Sequence, residues 1–496
     1  MKKVLLGAKY SIIEPLSLLY LTGIAHEEGW QSKIALVENH DYTAFNKIVN
    51  EFKPNLIGFT LYTGNHLQTF DYLSQLKKNK KDIKIVLGGP HPTYFPKESI
   101  NYADYVVLSE GFHSFRQILR NEVNPGIIPL TSQEPFPVPN RAEFYKDYPN
   151  HRNSPIKSVI THSGCPFSCT YCYNSSTLED IADALDSEQI AEMGKVVGKS
   201  RRLFPQTSRS VEDIVSEVKN IIEISPQTKL IFFQDDLFGS DINWVREFTK
   251  KYSSLNIPFH AQMRFEYANP KNPICRERLE LMQEAGCTGL TMAIESADPI
   301  IRQEVLNRNM KEELMFETFS FLSKLGYKVR TEQMLGLPCG ATSQPTKINL
   351  DADLDVLELN VRLKEETGLP TMAWASTFVP YKGTKIFDYC LKYGFYSGET
   401  GNIPDTFFER SILNFPKKWV GPNLSPNNKE MWLSKQEQEE YRDKLQFLRN
   451  LFNYFALIPK GHKLAKKFLE QEEHSFFELS TCTRRHLYDS VLYEVE

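Results

Sequence analysis

Cysteine is scarce in this chain. Eight in 496 residues are too few for a disulfide scaffold. No stretch is long and apolar enough to cross a membrane. The N-terminal Met1-Lys2-Lys3 opens with charge, but the apolar run behind it is short. No small-residue cleavage site follows, so the segment reads as a buried first strand rather than a signal peptide, and the expected location is cytoplasmic. Charge of one sign is missing too. A formal net charge of −4 gives no general attraction to nucleic acid or anionic lipid. No nucleic-acid module, internal repeat or low-complexity tract is visible. What remains, 41% hydrophobic and 24% charged residues, is the composition of an ordinary globular protein, and the length suggests about two to four domains.

The patterning divides the chain. In residues 1–125, apolar runs at Val4–Leu6, Lys33–Val37, Leu56–Leu61, Ile83–Leu87 and Tyr105–Leu108 alternate with amphipathic stretches. That is the pattern of a parallel sheet covered on both faces, and five strands predict a doubly wound, flavodoxin-like domain. Residues 126–150 are proline-rich without apolar periodicity and read as a linker. Residues 151–395 alternate again. Strands are expected at Ile156–Thr161, Leu230–Gln234, Phe259–Arg264, Leu290–Glu295, Val329–Leu335 and Met372–Phe378. Helices are expected at Val211–Ile224, Trp244–Tyr252, Arg276–Ala285, Glu312–Leu325 and Leu354–Lys364. Six βα units suit a partial barrel with its chemistry at the carboxyl ends of the strands. The segment Ser175–Arg202 interrupts this pattern with a helix predicted over Leu178–Met193. Residues 396–496 read as mainly helical, notably Lys435–Phe455 and His462–Glu472.

Three of the cysteines, Cys165, Cys169 and Cys172, fall in the string Ser163-Gly164-Cys165-Pro166-Phe167-Ser168-Cys169-Thr170-Tyr171-Cys172-Tyr173-Asn174. The string directly follows a strand, so it is a loop leaving a sheet. Three thiolates at this spacing can wrap one cubane and leave its fourth iron open. A structural zinc site would need a fourth ligand and usually a second ligand pair downstream. None follows, and His162 lies on the strand side. Cys275, Cys287, Cys390 and Cys482 read as inert buried thiols. Cys339 is at an active-site turn and is the one scattered cysteine with a case for reactivity.

CxxxCxxC with an aromatic before the last cysteine resembles the signature of the radical S-adenosylmethionine (SAM) superfamily. The resemblance implies a partial (βα)6 barrel, a [4Fe-4S] cluster and reductive cleavage of SAM to a 5′-deoxyadenosyl radical. Further strings are similar to that family. Phe232-Phe233-Gln234-Asp235-Asp236 ends the second barrel strand, and the resemblance implies that Asp235, or Asp236, receives the cofactor's amino group. The alternative is a helix N-cap. Ala293-Ile294-Glu295-Ser296 resembles the family's "GIESG", which puts Glu295 and Ser296 at the barrel mouth. Ala293 and Ala297 stand where glycines are usual. Arg308, in the string that follows, reads as a surface charge. Leu337-Pro338-Cys339-Gly340 resembles "GLPGET" without its acidic residue. Arg264 and Arg330 are candidates for holding the cofactor carboxylate. Met292 and Met334 read as core.

Residues 1–125 resemble the cobalamin-binding domain that precedes the barrel in one branch of that superfamily. The matching strings are Pro54–Thr60 and Leu87-Gly88-Gly89-Pro90-His91-Pro92-Thr93. The resemblance implies that Gly88 and Gly89 let a macrocycle or its tail approach the backbone, and that Thr60 or Thr63 touches the tail. No DxHxxG string sets up a lower cobalt ligand; His91, in the matching string, is a further cofactor-binding candidate with a plain turn residue as the alternative, and His66 reads as exposed on a helix.

The expectation is therefore a radical SAM enzyme with a [4Fe-4S] cluster, SAM and cobalamin as cofactors. Its leading chemistry is cobalamin-dependent methyl transfer to an unactivated carbon or a phosphinate. One alternative is a cobalamin-free radical enzyme performing cyclisation, oxidation or C–C coupling. A third reading is a non-catalytic iron–sulfur binding protein. The expected partners are a small-molecule, lipid or peptide substrate and an electron donor such as flavodoxin or ferredoxin, with no nucleic acid.

Overall fold

The computed structural model describes residues 1–470. Cys482 and the last residues of the helix expected over His462–Glu472 lie outside them. Two compact units form: Met1–Pro166 with Tyr173–Ile231, and Phe167–Cys172 with Phe232 onward. Among the described residues no helix is long and apolar enough to cross a membrane.

The first unit is built on six strands: β1 (Lys3–Lys9), β2 (Gln31–Val37), β3 (Leu56–Thr60), β4 (Lys84–Gly88), β5 (Tyr105–Val107) and β6 (Gly126–Ile128). Their order is β2-β1-β3-β4-β5-β6, with every pair parallel. The doubly wound expectation holds, with one strand more than the five expected. The extra strand, β6, lies inside the segment read as a linker. That segment also contains helix Arg141–Asp147 and the start of helix Pro149–Asn153. The central strands are apolar between their ends because helices cover both faces: Leu5, Ile57 and Ile85 belong to one core, Val4, Leu56 and Val86 to the other. The order reverses at β1, between β2 and β3, and in such sheets the crevice beyond the carboxyl ends at this switch point receives ligands.

A second sheet has the strand order β14-β13-β12-β11-β10-β7. Here β7 is Ile156–Val159, the short antiparallel pair β8 and β9 is His162–Ser163 with Thr207–Ser208, and β10 is Leu230–Phe233. The remaining strands are β11 (Phe259–Gln262), β12 (Cys287–Glu295), β13 (Lys328–Leu335) and β14 (Met372–Thr377), and the pairs from β11 to β14 run parallel. Each barrel strand stands beside the next in sequence, the order of a curled half-barrel. The intervening helices are the expected ones. Val211–Ile224 starts where the Ser210 side chain accepts from the Asp213 amide, and it buries Val211, Ile214, Val218 and Ile221 at helical spacing.

The helix expected over Leu178–Met193 differs. Residues Leu178–Asp180 and Ala182–Ala184 are short 3-10 turns, and the α-helix runs from Ser187 to Val197. Two capping boxes decide it. Thr177 with Asp180 closes the first turn, and Asp186 with Gln189 starts a fresh helix.

The first unit is pinned by a buried ionic cluster. Arg141 donates to Glu14 Oε2 at 2.8 Å, to Glu217 Oε1 at 2.7 Å and to the Ser158 carbonyl at 2.7 Å. Arg209 donates to Glu217 Oε2 at 2.6 Å, and Tyr145 donates to Glu14 Oε1. One guanidinium from the proline-rich segment thus joins the loop before helix Leu16–Glu27, strand β7 and helix Val211–Ile224. Such a cluster need not stabilise relative to apolar residues, but breaking it strands a buried charge. Arg141→Met should therefore cost about 3–5 kcal/mol, read as a lowered urea midpoint for the first unit. A midpoint within error of the parent would contradict this.

Candidate functional site

The cysteine string leaves β8 through Gly164, whose φ is +74°. A Cβ there would meet the carbonyl oxygens of Phe204 and Pro205, each at 2.9 Å, so only glycine permits this exit. Cys165 and Cys169 are buried and Cys172 is half-buried. In the first unit, Arg202, the basic end of the insert Ser175–Arg202, donates to the carbonyls of Cys165, Pro166 (2.9 Å) and Asn174 (3.3 Å). The insert thus has a structural task at the start of the motif.

In the second unit, residues Ser168–Tyr171 are held from outside. The Thr170 amide donates to the Leu306 carbonyl at 3.1 Å, and its hydroxyl to the Val305 carbonyl at 2.5 Å. The Ile386 amide donates to the Thr170 carbonyl at 3.0 Å, and Asn307 Nδ2 to the Ser168 carbonyl at 2.8 Å. The Tyr171 hydroxyl donates to Glu295 Oε1 at 2.7 Å and receives Arg308 Nη1 at 3.2 Å. Arg308 Nη2 also donates to the Ala293 carbonyl at 2.6 Å. Arg308 is therefore not the surface charge expected. It is 3% exposed, because the π-helical turn Ile301–Val305 returns the chain beneath the loop. Sequence reasoning missed this clamp; the Asn307-Arg308 pair was its visible signal.

Glu295 ends β12, as expected, and is buried. Burial pushes its carboxyl above the usual range, against the pull of Arg308 and of the Tyr171 hydrogen bond. Its φ is +67°, where a residue with a side chain is strained, and the ladder to β13 shifts register between Ala293 and Glu295. The unusual backbone sits at Glu295 itself rather than at Ala293 or Ala297. Ser296 is buried beside it, with its carbonyl bound by Arg302 at 2.8 Å. Asp235 is fully buried just beyond β10, whereas Asp236 is exposed. The helix after it is capped by Asp241, which accepts from the Asn243 amide, so the capping alternative belongs to Asp241.

The two candidate arginines separate. Arg264, just past β11, donates Nη1 to Cys169 Sγ at 3.0 Å. Arg330, on β13, pairs with Glu332 and lies over Trp374, 5.3 Å from the ring centre. Met292 is core, as expected, while Met334 is half-buried. Cys339 is buried, and burial raises its thiol well above the ordinary value, further raised by Asp353 and Asp298, which argues against a reactive thiolate.

In the N-terminal domain, Thr60 lines a cleft with Ala8, Lys9, Val37, Tyr42 and Asn65, at the carboxyl ends of β1, β2 and β3. Gly89 (φ +97°) is required by the fold, since a Cβ would meet Thr60 Oγ1 at 2.7 Å. Gly88 is not: its nearest obstacle would be Val107, at 3.9 Å. The carboxyl end of β4 therefore offers a backbone that a flat ligand can approach. Thr63 is buried and engaged with His91 Nδ1 at 3.1 Å.

Two histidine expectations need correction. His91 is fully buried, not a mere turn residue, and His66 is 1% exposed rather than on a helix surface. The rings stack with centroids 3.9 Å apart, and Phe95 covers His91. Burial, helped by His91, pulls His66 down to about 4. His66, His91 and Glu98 each bring a ligand atom within 4.8 Å of the others. However, His66 Nδ1 accepts from the Gly64 amide at 3.2 Å, which places the neutral ring's proton on Nε2 and leaves that nitrogen no lone pair for a metal.

The turn after β13, which lacks the expected acid, borrows one. Asp353 from helix Asn349–Thr367 accepts from the Gly336 amide at 2.8 Å and from the Tyr441 hydroxyl at 2.7 Å. Burial pushes its carboxyl up to about 7, against both hydrogen bonds. With the folded value raised, the folded state binds the extra proton, so this contribution to stability is complete below about pH 4 and is lost as pH rises through about 7. Asp353→Asn should flatten the stability profile over that window. Superimposable urea-midpoint profiles for the two proteins would contradict the assignment.

Comparison with known proteins adds to this geometry. The family model for the B12 binding domain matches residues 2–119, and that for the radical SAM superfamily matches residues 159–339. The chain is 23% identical over 404 residues to an uncharacterized methyltransferase, PH0819, of Pyrococcus horikoshii, covering 76% of this chain and 78% of that one. It is 21% identical over 490 residues to the cytidylyl-2-hydroxyethylphosphonate methyltransferase of Streptomyces wedmorensis, covering 83% and 84%. In fold it is similar to OxsB, a cobalamin-dependent SAM radical enzyme solved with aqua-cobalamin bound, at TM-score 0.59 and 14% identity, covering all of this chain and 77% of that one.

Proposed function

We propose, from the premise that this chain belongs to the radical SAM superfamily and carries a B12-binding domain, that it is a cobalamin-dependent methyltransferase acting on an unactivated carbon or a phosphinate. The observation that carries the reading is the joining, in one chain, of a CxxxCxxC loop on a half-barrel to a doubly wound domain of the B12-binding kind. Relatives named as methyltransferases share most of that length.

When bound, the cluster and SAM supply the radical and cobalamin carries the methyl group. The chain's own residues have the following parts. Cys165, Cys169 and Cys172 ligate the cluster, a donor set that suits iron–sulfur. Buried Asp235 and Glu295, at the carboxyl ends of β10 and β12, accept from the polar groups of SAM, with Ser296 beside them. Arg330 stays a candidate for its carboxylate. Thr60 and the open backbone at Gly88 receive the corrin or its tail, and Gly89 and His91 shape the turn beside them. An electron donor of the flavodoxin or ferredoxin kind would supply the reducing electron.

The test is an anaerobic reaction of the reconstituted protein with reductant, cobalamin and SAM labelled in its methyl group. Label should appear on the bound cobalamin, and 5′-deoxyadenosine should be released. A variant with Ala at positions 165, 169 and 172 should lose the iron–sulfur absorbance and release none. Deoxyadenosine without labelled cobalamin would overturn the methyl-transfer reading in favour of a cobalamin-free radical reaction. No deoxyadenosine from a loaded wild-type protein would leave only an iron–sulfur binding protein.

A further inference from the structure

Arg264 is held more firmly than a side chain awaiting a ligand needs to be. It lies two residues beyond β11 and is 7% exposed. Its Nε and Nη2 donate to the two carboxylate oxygens of Glu266, at 3.1 and 2.5 Å. Its flat face lies on the Phe167 ring, 3.6 Å from the centroid. The edge left over, Nη1, points at Cys169 Sγ from 3.0 Å. A guanidinium is planar, with its donors in a fixed fork, so fixing one edge and one face fixes the direction of the remaining N–H. Glu266 also nearly cancels the charge locally, so what reaches the sulfur is mainly an oriented donor, not a bare cation.

Resting on the assignment of Cys169 as a cluster ligand, we propose that Arg264 is a positioning residue that raises the cluster's reduction potential through an N–H···S hydrogen bond to Cys169. The physical reason is differential. One-electron reduction adds negative charge that is shared by the cluster's sulfurs, so a donor fixed on a ligand sulfur binds the reduced state more strongly than the oxidised one. Hydrogen bonds to the sulfurs are among the factors that set such potentials. The electron would be supplied by the external low-potential donor and accepted by SAM. Arg264 itself neither gains nor loses charge. Glu266 and Phe167 serve by holding the fork and the face.

The measurement is an EPR-monitored redox titration of the reconstituted full-length protein without SAM, comparing wild type with Arg264→Gln, Arg264→Lys and Phe167→Leu. Iron and sulfide content are determined in each. Arg264→Gln should keep its cluster and shift the oxidised-to-reduced ratio about tenfold toward oxidised at a given potential, a midpoint about 59 mV lower. Arg264→Lys, with one ammonium in place of the fork, should fall between that variant and wild type. Phe167→Leu should shift the same way by less. If the Gln variant takes up no cluster, the Lys and Leu variants decide. Unchanged or raised midpoints in loaded variants overturn the proposal while leaving the cluster in place. Unchanged midpoints with weakened SAM binding would mean that Arg264 holds the SAM carboxylate instead. A wild-type protein that binds no cluster overturns both this inference and the assignment beneath it.

Discussion

The loop that carries Cys169 and Cys172 has no regular structure of its own, and everything proposed for this protein depends on its holding one shape. The hydrogen bond from Tyr171 to Glu295, with Arg308 bridging Tyr171 and the end of β12, supplies that constraint. A half-buried tyrosine, a buried carboxylate and a buried guanidinium would each be costly without the others and are tolerable together. Each therefore fixes the others, and the loop is locked to the strand end where SAM chemistry is assigned. The strain at Glu295 fits this picture: an unfavourable backbone persists where its surroundings over-determine it.

Much of this was legible in the sequence because it rests on local rules. Apolar runs of strand length separated by amphipathic stretches gave both sheets, since wholly covered parallel strands leave little choice of residue. Three cysteines within eight positions stood out by a spacing that suits one cluster, and the fold places them on one loop leaving a strand. Asp235 and Glu295 were visible as polar residues at strand ends.

What stayed hidden depends on long-range contacts. Arg308 looks like any surface arginine until the π-helical turn brings it under Tyr171. His66 has polar neighbours in sequence and a helix start around it, yet it is buried against His91 from the next βα unit. Arg141 sits among prolines that suggest a linker, and only the fold shows Glu14 and Glu217 converging on it. The missing acid of the turn after β13 arrives as Asp353 from a helix and is secured by Tyr441 from the C-terminal region, which gives that otherwise unassigned region one definite task. In each case a polar side chain is buried against a partner tens of residues away, a pairing that local pattern does not encode.

The central claim is that one chain holds a cluster and cobalamin together. The direct measurement is the absorbance spectrum, with metal analysis, of protein reconstituted anaerobically with iron, sulfide and cobalamin and then washed free of unbound cofactor. The account predicts about one cobalamin and one [4Fe-4S] cluster retained per chain. A full cluster with no retained cobalamin would contradict it, reducing the N-terminal domain to a scaffold and leaving a radical enzyme without a methyl carrier.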